Sequence, residues 1–157
     1  MAQLKDIFTG KITNWKEVGG KDEAITLISR EANSGTHVYF REHVLKDENF
    51  KADAVLVPTS KGITEETAKQ NGAVGYVGVG DAKADSNVKI LSIAKETGAE
   101  ALTPSKENVK SGKYPISRSL YVYTAGKPEG KKREFIDFML SRDGQRIVEE
   151  QGYIPIQ

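Results

Sequence analysis

One segment constrains the fold more than any other: a strand pattern that leads within a few residues into a helix pattern. Residues Ala24 to Ser29 are aliphatic and β-branched, which is the composition of a buried strand. Ser34 follows after a short loop and is predicted to cap an amphipathic helix that continues to Leu45. Because strand and helix follow one another so closely, this segment favours an α/β fold.

The rest of the chain repeats this alternation. Further strands are predicted at 54–57, 73–77, 88–93 and 119–124. Helical patterns occur at 4–8, after Asn14, at 64–71, near 135–140 and from 143 to 152. Between 97 and 115 the chain is polar, so loops with one helical turn are expected there, near 106–109. Interleaved strands and helices predict an α/β sandwich with a mostly parallel or mixed sheet.

Length and charge narrow the class of protein. A chain of 157 residues suits a single domain, and 38% apolar with 29% charged residues is a globular balance. The net charge of +1 provides no field that would attract nucleic acid or an anionic membrane. The absence of cysteine excludes disulfides, thiolate catalysis and thiolate metal sites. No stretch has the roughly 18 apolar residues of a membrane span, and the start has no apolar export signal.

The junction between the first predicted strand and its helix carries the candidate site. Open α/β sheets bind ligands at the carboxyl ends of their strands, and the sequence there is SREANSGT. Arg30 offers a charged fork for two oxygens of a tetrahedral anion. Ser34, Gly35 and Thr36 offer hydroxyl and amide donors at a helix N-terminus. These residues also fit a purely structural role, in which Ser34 caps the helix and Arg30 pairs with a surface carboxylate.

Other patterns fit known sites poorly. The glycines from Gly75 to Gly80 are in the wrong order for a dinucleotide loop, and no P-loop sequence is present. Ser34, His37 and His43 lack the elbow and the acid of a hydrolase. Two histidines without a matching carboxylate spacing make a poor metal site. The sequence therefore predicts a protein that is not an enzyme and has no metal or cofactor.

Five blocks of sequence occur together in a distinctive order. They are LKDIFTGKITNW at 4–15, Arg30 with Ser34-Gly35-Thr36, GAVGYV at 72–77, YPISR at 114–118, and a tail with Gly144-Gln145 and GYIP at 152–155. In type and order they resemble the blocks of the periplasmic phosphate-binding proteins of ABC transporters, the PstS-like members of the type II periplasmic binding proteins. The resemblance extends over nearly the whole chain, and five ordered blocks are more specific than any one of them.

This resemblance implies a three-layer lobe of the type II periplasmic-binding-protein fold, with a mixed sheet flanked by helices. The single domain, 1–157, would be the second lobe with the carboxy-terminal crossover strand and helices. In the family, phosphate lies between two lobes, and Arg30, Ser34, Gly35 and Thr36 correspond to the second-lobe contacts. The first-lobe contacts would precede Met1, so we expect a half-site on a fragment of a longer protein. Intact members deliver phosphate to an ABC permease, which implies a periplasmic or extracytoplasmic location.

The sequence departs from the family pattern close to the site. An acidic residue that orients the arginine is frequent near Ala32, so Glu31 is expected to take that role here. His37 stands where the family often has arginine, and both a structural role and contact with the anion are open for it.

Two further expectations concern function and partners. The alternative to phosphate transport is a non-catalytic sensor or protein-interaction domain that keeps the fold. In the family, the strand from Leu120 to Thr124 runs beside a second crossover strand, so in this chain it would form an unpaired edge bearing Tyr121 and Tyr123. Unpaired edges favour strand pairing between molecules, which predicts a homodimer.

Overall fold

Three parallel strands form the central sheet of the computed structural model, which describes residues 1–84 and 87–156. Strand β1 (Thr26–Arg30) lies between β2 (Val55–Val57) and β3 (Ala73–Val74). Both neighbours run parallel to β1, with Arg30 opposite Val57 and Leu27 opposite Val74. Because the strands are parallel, β1 and β2 end at the same edge of the sheet.

Helices precede and follow the strands along the chain. They are α1 (Ala2–Phe8), α2 (Gly35–Phe40), α3 (Ser60–Lys69), α4 (Val79–Ala84), α5 (Lys106–Lys110), α6 (Gly130–Leu140) and α7 (Arg142–Glu150). A 3₁₀ turn spans Trp15–Val18, and α2 continues as a π-helical turn at Arg41–Leu45. A separate antiparallel pair is formed by β4 (Ile93–Ala94) and β5 (Ala101–Leu102).

The core lies on both faces of β1. Leu27 packs with Phe8, Phe40 and Tyr76 on the face covered by α1 and α2. Its neighbour Ile28 packs with Val57 and Ile63 on the face covered by α3. Successive side chains of a strand point to opposite faces, so this division produces three layers: helices, sheet and helices. The predicted α/β class is confirmed. The central sheet is parallel, and the antiparallel pairing of the mixed sheet that was expected occurs in the separate pair of β4 and β5.

Most predicted helices are present, with one shifted start. The predicted turn near 106–109 is α5, and the terminal helical patterns are α6 and α7. Helix α3 begins at Ser60, four residues before the predicted start, because the Thr59 hydroxyl accepts a hydrogen bond from the Gly62 amide at 3.0 Å and caps the helix there. Helix α4 was not predicted from its glycine-containing sequence.

Two predicted strands are wrong. Of residues 88–93 only Ile93 belongs to a strand, because only Ile93 and Ala94 have a pairing partner, which is β5. Residues 119–124 form no strand in the described structure, and their side chains are exposed; Tyr123 is 87% accessible. Alternating residues indicate a sheet face, but a strand also requires a neighbour that accepts its backbone hydrogen bonds. The homodimer stays a prediction, but the described structure does not contain the unpaired strand at 119–124 on which it was based.

Candidate strand-end site

Ser34 begins α2 as the sequence predicts. The residue is 8% accessible, and its hydroxyl oxygen accepts a hydrogen bond from the Thr36 amide at 3.3 Å. Its carbonyl accepts from the Val38 amide at 3.0 Å, which starts the helical hydrogen-bond series. The amide of Gly35 has no acceptor among the described residues. The first turn of α2 therefore presents the Gly35 amide together with the Ser34 and Thr36 hydroxyls.

The Arg30 guanidinium is held by the loop that joins β2 to α3. Its Nη2 donates to the Pro58 carbonyl at 2.8 Å, and its Nη1 donates to the Ser60 hydroxyl at 3.2 Å. Its Nε–H is buried and has no acceptor within the described part of the chain. Arg30 makes no ion pair there either, so the structural alternative of pairing with a surface carboxylate does not hold.

Glu31 does not orient Arg30, contrary to the expectation from the sequence. Its side chain is exposed, and the contacts that fix the guanidinium come from Pro58 and Ser60. The physical reason is the parallel pairing of β1 with β2, which places the start of the β2–α3 loop beside the end of β1. Thr59-Ser60 follows a predicted strand just as Ser34 does, but only the pairing of β1 with β2 places it beside Arg30.

A buried hydrogen-bond network lies beneath Arg30. The Tyr76 hydroxyl accepts from the Arg30 amide at 3.3 Å and lies 2.8 Å from the Ser29 hydroxyl. Burial raises the pKa of the Tyr76 phenol above its ordinary value, while the contacts with Ser29 and Arg30 oppose that shift. His37 contributes its Nδ1, which is 2.9 Å from the Arg30 carbonyl oxygen. Strand β3 ends at Val74. The Tyr76 hydroxyl therefore accepts the hydrogen bond of the Arg30 amide, which a backbone carbonyl would accept in a longer strand.

A second arginine contacts the first turn of α2. Arg118 donates from Nη1 to the Gly35 carbonyl at 3.1 Å, and its guanidinium carbon lies 5.1 Å from the centre of the Tyr39 ring. Tyr39 in turn donates to the Ser117 carbonyl at 2.8 Å. The nearby His43 lies 2.9 Å from the Pro115 carbonyl oxygen. These contacts hold residues 115–118 along α2 and its π-helical turn.

Arg30, Ser34, Gly35 and Thr36 thus lie at the carboxyl end of β1 and in the turn that follows it. The Arg30 guanidinium makes no hydrogen bond to the other three within the described structure, because it extends toward Ser60. The loop from Glu31 to Asn33 between them is exposed, so this is an open surface. Arginine donors and a helix-start amide on such a surface are suited to an oxyanion.

Other features of the described structure lie away from this site. One cavity of about 180 Å³ is lined by Lys83, Lys106 and the chain near Tyr153, and another of about 380 Å³ lies between Met1 and residues 92–99. Within residues 1–84 and 87–156, no group of three or more histidine and acidic side chains is arranged to hold a metal. In the same residues no helix has the length and apolar character to cross a bilayer.

The fold and the site define an α/β lobe with an arginine and a capped helix at the carboxyl end of its central strand. The chain belongs to the family described as the PBP superfamily domain, whose sequence model matches residues 1–143.

Known relatives agree with this assignment. The chain is 40% identical over 155 residues to phosphate-binding protein PstS of Bacillus subtilis, which covers 98% of this chain and 49% of that protein. It is 36% identical to PstS of Borreliella burgdorferi, covering 98% of this chain and 57% of that protein. The chain therefore spans about half the length of the curated relatives it matches.

Solved structures give the same picture. A Clostridium perfringens protein with bound phosphate, provisionally assigned as a phosphate ABC transporter substrate-binding protein, matches with a TM-score of 0.78 and 37% identity, over 99% of this chain and 61% of that one. An ABC-type phosphate transport receptor from Vibrio cholerae matches with a TM-score of 0.76 and 29% identity, over 98% of this chain and 62% of that one. The predicted type II periplasmic-binding-protein resemblance is confirmed.

Proposed function

We propose that this chain binds inorganic phosphate at Arg30, Ser34, Gly35 and Thr36. In this proposal the Arg30 guanidinium supplies charge and two or more donors, while Gly35 supplies its amide and the two hydroxyls donate to phosphate oxygens. The observation that carries the proposal is the state of Arg30: at the end of β1, from which the chain continues into α2, its guanidinium is held by Pro58 and Ser60 without a carboxylate partner. A fixed and uncompensated cation of this kind favours an anionic ligand.

The relatives support phosphate as the anion. The matched proteins of Bacillus subtilis and Borreliella burgdorferi are named phosphate-binding proteins, and the Clostridium perfringens structure contains phosphate. We extend the proposal to the biological setting: residues 1–157 act as one domain of the solute-binding component of an ABC phosphate transporter, outside the cytoplasm, with the permease as protein partner. The role is binding and delivery, with no catalytic step and no cofactor.

A titration with inorganic phosphate, followed by backbone amide NMR, tests this proposal. We expect shifts confined to residues 30–37 and the contacting positions 58–60, because an anion at Arg30 changes the field at these amides. Sulfate at the same ionic strength serves as the control for nonspecific anion binding. If phosphate leaves residues 30–37 unchanged, the sensor or protein-interaction alternative replaces phosphate binding.

A further inference from the structure

The position of the His37 proton follows from the geometry around its ring. Nδ1 lies 2.9 Å from the Arg30 carbonyl oxygen and 3.2 Å from the Tyr76 hydroxyl oxygen. A carbonyl oxygen only accepts hydrogen bonds, so Nδ1 must be the donor in the shorter contact. An unprotonated Nδ1 would place its lone pair against the lone pairs of that oxygen. The neutral ring is therefore the Nδ1–H tautomer.

The neighbouring groups are consistent with this proton position. Because Nδ1–H cannot accept, the Tyr76 hydroxyl donates instead to the Ser29 hydroxyl oxygen, 2.8 Å away. Ser29 donates to the Arg30 carbonyl at 3.3 Å, and the Arg30 amide donates to the Tyr76 oxygen at 3.3 Å. Each proton in the network then has an acceptor, and the assignment does not depend on any group outside it.

The network is sheltered from water by aromatic side chains. Ser29 is fully buried and Tyr76 is 8% accessible. The Phe50 ring centre lies 4.5 Å from that of His37, and the Phe40 ring centre lies 4.2 Å from that of Tyr76. In such an environment, loss of one hydrogen bond leaves its partner unpaired and out of reach of solvent. The network therefore resists rearrangement.

We infer that His37, as its Nδ1–H tautomer, is a positioning residue that fixes the Arg30 main chain for anion binding. The inference rests on the proposed phosphate function. The sequence left open whether His37 contacts the anion. In this tautomer the Nδ1 proton is donated to the Arg30 carbonyl, and Nε2 has no proton to donate to an anion. The Arg30 amide is held by Tyr76, its carbonyl by His37 and its guanidinium by Pro58 and Ser60. His37 thus completes a three-point attachment of the binding arginine.

The first test uses the unmodified chain and no ligand. Long-range ¹H–¹⁵N NMR of the imidazole distinguishes the two neutral tautomers by the ¹⁵N shifts of the ring nitrogens. We expect the Nδ1–H form for His37. Detection of the Nε2–H form would overturn the inference, whether or not the chain binds phosphate.

The second test uses a matched pair of variants, His37→Asn and His37→Gln. The asparagine amide nitrogen takes the place of Nδ1, whereas the glutamine amide nitrogen takes the place of Nε2. We expect phosphate affinity within about twofold of the parent for His37→Asn, and a loss of about threefold to tenfold for His37→Gln, the effect of one misplaced hydrogen bond. Equal affinities for the two variants would contradict the inference.

Failure of the proposed function and failure of this inference have different signatures. If the parent chain does not bind phosphate, the function is wrong, and the Arg30 amide shift then reports positioning directly. We expect that shift to move in His37→Gln and to stay near its parent value in His37→Asn. Tyr76→Phe removes the acceptor of the Arg30 amide and should move the same shift, which provides a third variant should His37→Gln not fold. An unmoved Arg30 amide in His37→Gln, or in Tyr76→Phe where His37→Gln does not fold, overturns the inference.

Discussion

Arg118 donates a hydrogen bond to the Gly35 carbonyl at 3.1 Å, although 83 residues separate them in the sequence. The contact joins the segment after Pro115 to the first turn of α2. The same guanidinium lies over the Tyr39 ring, so one side chain makes both a hydrogen bond and a cation–π contact. The strand-end site is therefore supported from a distant part of the chain as well as from β2 and β3.

Replacement of Arg118 is expected to lower stability modestly. Arg118→Ala should reduce the free energy of unfolding by about 1 kcal/mol, because an exposed hydrogen bond and an exposed cation–π contact are each weak. Arg118→Lys should lose part of that amount, since lysine keeps the charge but lacks the planar fork. Urea unfolding measures the difference. Arg146→Ala, which removes an exposed i,i+4 pair with Glu150, is the control and should cost less than about 0.5 kcal/mol.

Arg30→Ala is expected to remove most phosphate binding. The guanidinium would contribute charge-assisted hydrogen bonds worth about 1.5 to 3 kcal/mol each, so affinity should fall at least tenfold. Calorimetry measures the change. Arg41→Ala removes the same charge from the π-helical turn, where Arg41 pairs loosely with Asp47 at 3.7 Å, and should leave affinity nearly unchanged. Phosphate binding by Arg30→Ala at the parent level would refute the site.

Phosphate affinity of this chain should be weaker than micromolar. The loop from Glu31 to Asn33 and Gly35 are exposed, so the anion would keep contact with water and each donor would compete with solvent. Affinity should also fall as salt is added, because exposed charges are screened. Calorimetry at two ionic strengths checks both statements, and a dissociation constant of about one micromolar or below would contradict the first.

Ser60 is expected to influence binding through Arg30. Ser60→Ala removes the acceptor for Nη1 and should weaken phosphate binding by about threefold to tenfold, whereas Ser60→Thr keeps a hydroxyl and should restore it. The fold should remain, since the cap of α3 is the Thr59 hydroxyl. Circular dichroism with calorimetry separates the two effects. Equal affinities for the alanine and threonine variants would show that the guanidinium does not depend on this contact.

Stability should fall at high pH partly through Tyr76. Burial raises the pKa of this phenol in the folded protein, so the folded state holds the proton more tightly than the unfolded state. The contribution is complete below the unfolded value of about 10 and is lost as pH rises from there through the folded value. Tyr39 and Tyr114 are shifted in the same direction by burial. Tyr76→Phe should therefore reduce the alkaline loss without abolishing it, as measured by unfolding at several pH values.

The sequence predicted those features that depend on local patterns. The cap at Ser34 and the strand that ends at Arg30 follow from residue type and spacing, and both are present. Such local patterns do not reveal contacts between distant segments. Neither the Ser60 contact with Arg30 nor the Arg118 contact with Gly35 is visible until parallel pairing and loop packing bring the segments together. The pattern at 119–124 misled for the same reason, because alternation does not reveal whether a strand has a neighbour.

Strand β3 ends at Val74, and this early end makes two features depend on different groups: the pairing of β3 with β1, and the hydrogen bond that holds the Arg30 amide. The acceptor for the Arg30 amide is the Tyr76 hydroxyl and not a backbone carbonyl, so that hydrogen bond is separate from the pairing of Thr26 with Ala73 and of Leu27 with Val74. The register of β3 and the position of the Arg30 amide therefore depend on different groups. At Tyr76 the exchange Tyr76→Phe would release the Arg30 amide while the buried ring keeps its packing against Phe8 and Phe40.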